Sequence, residues 1–130
     1  MNERKQNPRR EYRVRENERV LESATLEAAF PEVKALTVVL THYDYNGSRK
    51  SGDIKYRVDL AHAKSVFRFN CANRECVEGD FDLSRELAQA IAGRSESVNG
   101  ELRCQGWRTH SLIGTVRCDD LLRFELLIDY

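Results

Sequence analysis

The sequence predicts an α+β fold, an antiparallel sheet of about five strands with helices on one face, in the order α-β-β-β-α-β-β. Three observations lead there. Residues 36–43 and 53–60 flank a turn-rich stretch and are β-branched or alternate with period 2. Leu83, Leu87, Ala90 and Ile91 recur at helical spacing. Leu122, Phe124, Leu126, Ile128 and Tyr130 alternate again, with Arg123, Glu125 and Asp129 between them.

Each element has its own justification. Residues 1–10 carry no periodic pattern and read as a disordered basic arm, leaving 11–130 as one α+β domain. Over 1–15 the basic groups are Arg4, Lys5, Arg9, Arg10, Arg13 and Arg15, against Glu3 and Glu11. From Glu11 to Glu22 the run favours helix, with Glu11 and Arg15 attracting at i,i+4. Thr25 to Phe30 is a further helical turn closed by Pro31. One helix over 12–30 or two short ones both fit.

The next two segments form a hairpin around Asn46–Gly52, expected to set Leu40 opposite Val58, Val38 opposite Leu60 and His42 opposite Tyr56. A third strand over 65–71 puts Phe67, Phe69 and Cys71 on one face. Asp82 or Ser84 can cap the following helix, and Gly93 supplies its stop. Strands at 98–104 and 118–130 close the order as a hairpin centred on Ser111, which would place Cys104 opposite Cys118.

Composition bounds the function. With 130 residues, 41% hydrophobic and 32% charged, the chain is neither a membrane-spanning, a collagenous nor a low-complexity protein. Lys+Arg and Asp+Glu both number 21, so no global field selects a polyanion. No apolar run follows the basic start, so the expected address is the cytoplasm and no membrane partner is expected.

In a reducing compartment four cysteines read first as metal ligands. Cys71 and Cys76 form a C-x4-C pair across a polar turn, and Cys104 and Cys118 end two similar phrases, GELRC and GTVRC. If the last hairpin forms, all four thiolates meet at one end of the sheet, as a tetrahedral structural zinc site requires. Core cysteines and a cross-strand disulfide are the alternatives. His110 and Asp120 are reserve ligands. The spacing departs from zinc-ribbon and treble-clef patterns, and Asp80 and Asp82 give the second helix an acidic start, unlike that of double-stranded RNA-binding domains.

Two surfaces remain. An open sheet face carrying Tyr43, Lys55, Arg57 and Arg68, with Arg49 and Lys50 at its edge, suits single-stranded nucleic acid: bases stack on rings while cations track phosphates. The bland alternative is an ordinary solvated face. Trp107 and Arg108 offer a protein-interaction loop, unless Trp107 merely covers the cysteines. His42, His62 and His110 lie in separate segments, and no phosphate loop, nucleophile elbow or HExxH is present. The expected function is therefore a small non-catalytic binding or adaptor domain with structural zinc, its partner a nucleic acid or a protein. A thiol-dependent enzyme is the third reading, and the oligomeric state stays open.

Overall fold

The computed structural model describes residues 8–73, 75–110 and 112–130, the side chains at 8–13 and 110 apart. The architecture is α+β. Its centre is a four-stranded antiparallel sheet in the order β2-β1-β8-β5, built from β1 (Ala35–Tyr43), β2 (Ile54–Arg57), β5 (Ser97–Arg103) and β8 (Leu121–Asp129). Two short ribbons stand apart from it: β3 (Arg68–Asn70) with β4 (Asp80–Asp82), and β6 (Trp107–His110) with β7 (Gly114–Arg117). The expected five-stranded sheet is thus four strands plus two ribbons, because the third strand pairs with 80–82 and never joins β1.

Strict alternation sorts the sheet's faces. Leu36, Val38 and Leu40 of β1 and Leu122, Phe124, Leu126 and Ile128 of β8 turn inward and are buried. Helix α3 (Ser84–Ala92) lays Leu87, Ala90 and Ile91 into the same core. Its first turn is fixed by Asp82, whose carboxylate accepts from the Ser84 N–H at 2.9 Å. At its far end Tyr130 Oη donates to the carbonyls of Ser95 (2.9 Å) and Ala90 (3.3 Å). The other sheet face presents Thr37, Val39, Tyr43, Lys55, Arg57, Arg123, Glu125 and Glu101, all half-buried or exposed.

The first helical region resolves into two helices, α1 (Pro8–Glu22) and α2 (Leu26–Ala29). Helix α1 takes in residues 8–10, which the sequence reading left in the arm; proline at a first helical position has its φ already set and loses no hydrogen bond. Residues 1–7 of that arm lie outside the described residues. Thr25 caps α2, its hydroxyl accepting from the Ala28 N–H at 3.2 Å.

Two registers differ from expectation, and both keep the faces. In β1–β2, Leu40 pairs with Ile54 and Val38 with Tyr56, not with Val58 and Leu60. Asp44 Oδ1 captures the amides of Asn46 (3.1 Å) and Ser48 (2.9 Å), and Gly47 adopts φ +90, so the turn closes several residues early. In the last hairpin Leu102 pairs with Leu122 and Trp107 with Arg117, the same register, centred on Leu112, on both sides of an interruption at 104–106 and 118–120. Cys104 accordingly bonds through its N–H to Asp120 O (2.8 Å), and Cys118 N–H to Gly106 O (2.8 Å); the two cysteines are offset, not opposite. Among the described residues no helix is long and apolar enough to cross a membrane.

Candidate metal centre

Three strand ends and one turn deliver the cysteines. Cys71 follows β3, Cys104 follows β5 and Cys118 follows β7, while Cys76 ends the turn after Cys71. That turn is organised by Asn73, whose Oδ1 accepts from the Glu75 N–H (3.0 Å) and whose carbonyl accepts from the Cys76 N–H (3.1 Å). Val77 and Trp107 then exchange backbone hydrogen bonds (2.8 and 2.9 Å), pinning the turn to the last hairpin.

The four sulphurs lie within 4.8 Å of one another and can hold a metal ion. Cys76 and Cys104 are 3.5 Å apart, Cys71 and Cys118 3.8 Å. An ion bonded to sulphur at about 2.3 Å sets tetrahedral sulphurs about 3.8 Å apart, so these two edges match such a site and the others lie within 4.8 Å. All four cysteines are free, and these separations are far beyond the roughly 2 Å of a disulfide. Cys104 and Cys118 are fully buried and the other two half-buried.

The backbone around the sulphurs is cut to fit them. A Cβ on Gly79 would stand 2.1 Å from Cys76 Sγ and 2.5 Å from Cys104 Sγ. One on Gly106 would stand 2.6 Å from Cys76 Sγ and 2.6 Å from Gly79 Cα. The two glycines therefore interlock over the sulphurs. Donors point at sulphur too: Gly106 N–H reaches Cys104 Sγ at 3.4 Å and Asn73 Nδ2 reaches Cys118 Sγ at 3.9 Å. Such outer contacts stabilise thiolate ligands. The sequence reading missed both glycines; a Gly two residues after a cysteine was the only signal available.

The protons follow from this packing. The Cys104 thiol donates to Cys71, which holds Cys71 down to about 6 and pushes Cys104 up. Burial pushes Cys76 up to about 12 and raises Cys118 as well. At neutral pH the ion-free cluster thus carries one thiolate and three thiols. Binding a divalent ion to four thiolates near pH 7 is expected to release about three protons, so affinity should drop about a thousand-fold per pH unit on acidification. Calorimetric titration in buffers of differing protonation heat measures that number.

The remaining sequence candidates divide by face. Tyr43, Lys55 and Arg57 share the open side, where Arg123 stacks on Tyr43 at 5.3 Å. Arg49 bridges opposite Tyr43 and pairs with Asp53 (3.1 Å). Lys50 turns the other way, its Nζ 3.2 Å from the buried Asp120 carboxylate; Asp120 is engaged there and does not join the sulphurs. Arg68 is not on the open face either. Because β3 lies outside the main sheet, Arg68 sits 11% exposed between Glu16 of α1 and Asp80 of β4. His42 is buried, and burial lowers its pKa. Trp107 is covered by Arg117 (4.1 Å), and Arg108 lies over Tyr45 (4.0 Å). The side chain of His110 lies outside the described residues.

The fold and site define an α+β protein with a four-cysteine cluster able to hold a metal ion. Comparison with known protein families, curated proteins and solved structures finds no match for this chain.

Proposed function

We propose that this chain is a non-catalytic binding domain whose sheet end is held by one structural zinc ion, and that its open sheet face receives single-stranded nucleic acid. The observation that carries the first half is the closed set of four sulphurs at tetrahedral spacing. Four thiolates leave no coordination position for water or substrate, which is the arrangement of structural and not catalytic zinc. The soft all-sulphur donor set favours zinc over hard cations such as magnesium or calcium.

The ligand class rests on the uncovered face. Tyr43 offers a ring already flanked by the Arg123 guanidinium, and Lys55 and Arg57 stand exposed farther along the same face, on the edge strand opposite Val39 and Thr37. Among the described residues neither Lys55 nor Arg57 has a carboxylate partner. A strand with one base stacked on Tyr43 and running along β1 would bring phosphates about two to three nucleotides further on within reach of these cations.

A labelled single-stranded oligonucleotide read by fluorescence anisotropy tests this. With three phosphates neutralised, affinity should fall by about 20-fold between 50 and 200 mM salt. Charge reversal of Lys55 and Arg57 together should remove most of the binding and flatten the salt slope. Binding that ignores both salt and charge reversal would discard the nucleic-acid reading and leave the zinc reading standing. The thiol-enzyme alternative instead requires a cysteine that alkylates rapidly in the metal-loaded protein.

A further inference from the structure

Strand β5 is an edge, and its hydrogen bonding fixes which groups it leaves open. Ile128 N–H donates to Glu96 O (2.8 Å) and Cys104 N–H to Asp120 O (2.8 Å). Both pairs are in phase with Val98, Gly100 and Leu102, so those residues turn their amides and carbonyls to β8. The intervening Asn99 and Glu101 direct theirs outward, and among the described residues nothing meets them. The edge has no proline, lysine or bulge, and its two charged side chains are turned to partners within the chain, Glu101 to Arg123 (2.8 Å) and Arg103 to the Asp119 carbonyl (3.0 Å).

Two cavities border the same edge and share Glu101. One, of about 440 Å³, lies between α3 and β5, with Phe124 and Gly100 as its floor and Glu86 in its wall. The other, of about 690 Å³, continues past Leu102 to Phe81 and Trp107, an apolar strip rimmed by Glu78, Asp80 and Asp82 on one side and Arg103 and Arg117 on the other. The charged groups lining the first are Glu86 and Glu101, of which Glu101 is already paired with Arg123. Glu86 Oε2 is buried and has no hydrogen-bond partner. A carboxylate oxygen in that position calls for a donor from outside.

We propose that β5 is a strand-addition site for an extended, basic peptide segment of a partner protein. The peptide pairs with the open amides and carbonyls of Asn99 and Glu101. An inward-facing Lys or Arg meets Glu86, and an apolar side chain on the same face enters the cavity beside Trp107. A second copy of this chain fits less well. Residues paired across strands share a face, so a β5–β5 pairing would bring only Val98, Gly100 and Leu102 over the groove, and Glu86 would still lack a donor. The groove lies on the α3 side of β5, opposite the face that carries Tyr43, Lys55 and Arg57; Glu101 stands on its rim, held on the open face by Arg123.

The test uses the metal-loaded full chain and a labelled peptide of threonines with one lysine and one leucine at alternate positions. A matched peptide carries glutamate in place of the lysine. The lysine peptide is expected to bind with sub-millimolar affinity and the glutamate peptide at least about tenfold more weakly. Glu86→Gln should remove that preference. Hydrogen exchange should show the Asn99 and Glu101 amides slowing on peptide addition. Asn99→Pro should block binding, since it removes an outward N–H without touching the β8 ladder. Should that variant not fold, the wild-type exchange measurement decides alone. No protection at those two amides, or equal binding of both peptides, would overturn the proposal; so would the same protection arising from self-association in light scattering, which would assign the edge to a second copy.

Discussion

Replacing Cys104 with serine is expected to abolish ion binding and to lower the melting temperature by about 12–16 °C. Cys104 is wholly buried, its sulphur 3.5 Å from that of Cys76, and it receives the Gly106 N–H. A serine oxygen is harder and sits on a shorter bond, so it neither reaches the tetrahedral position nor suits a soft ion. A site saturated a thousand-fold contributes about 4 kcal/mol, and a chain of this size loses about 3–4 °C per kcal/mol. Chelation of the unaltered protein should produce a similar drop, while the Cys104→Ser variant should ignore chelator. A melting temperature indifferent to chelator in the unaltered protein, with four titratable thiols and no metal by native mass spectrometry, would make the cluster ordinary core.

The second large effect is expected from Gly106→Ala, a single methyl. Its position is 2.6 Å from Cys76 Sγ, 2.6 Å from Gly79 Cα and 2.7 Å from Gly79 N. Two of those three neighbours are backbone, so no side-chain rotation relieves the contact. The two loops must separate, which moves Cys76 and Cys104 apart and breaks the Cys118 N–H bond to Gly106 O. Overpacking of this kind costs about 1–3 kcal/mol, and the weakened ion site adds to it. Gly52→Ala is the control. Nothing stands within 4 Å of its added methyl, and its melting temperature should stay level or rise slightly. Equal behaviour of the two variants would show that the interlocked glycines do not set the sulphur geometry.

What was legible in the sequence was what periodicity and parity govern. The alternation of β1 and β8 and the stripe of α3 led to the right elements and the right buried faces. The cysteines came together because a hairpin pairing wrong by two residues still keeps every side chain on its own face. Other features have no periodic signature. Strand β4 is three residues long with two aspartates, and only the β3 backbone makes it a strand. The early β1–β2 turn depends on one side chain, that of Asp44, bonding local amides. Arg68 fell on the alternating face read as solvated, yet that face of β3 meets Glu16 of a helix, a contact no local pattern foretells. Lys50 likewise belongs to Asp120, far along the chain.

The placement of β8 bears on how the protein is made. Its residues 121–129 run between β1 and β5, supplying the inner partner to both. Until the ribosome has released Asp129, β1 and β5 have no common neighbour, and the buried side chains of β1 have only the helices and β2 to meet. Assembly of the sheet therefore waits for residues 121–129 even where earlier segments have already emerged. In that interval the apolar strand at 35–43 is open to other chains.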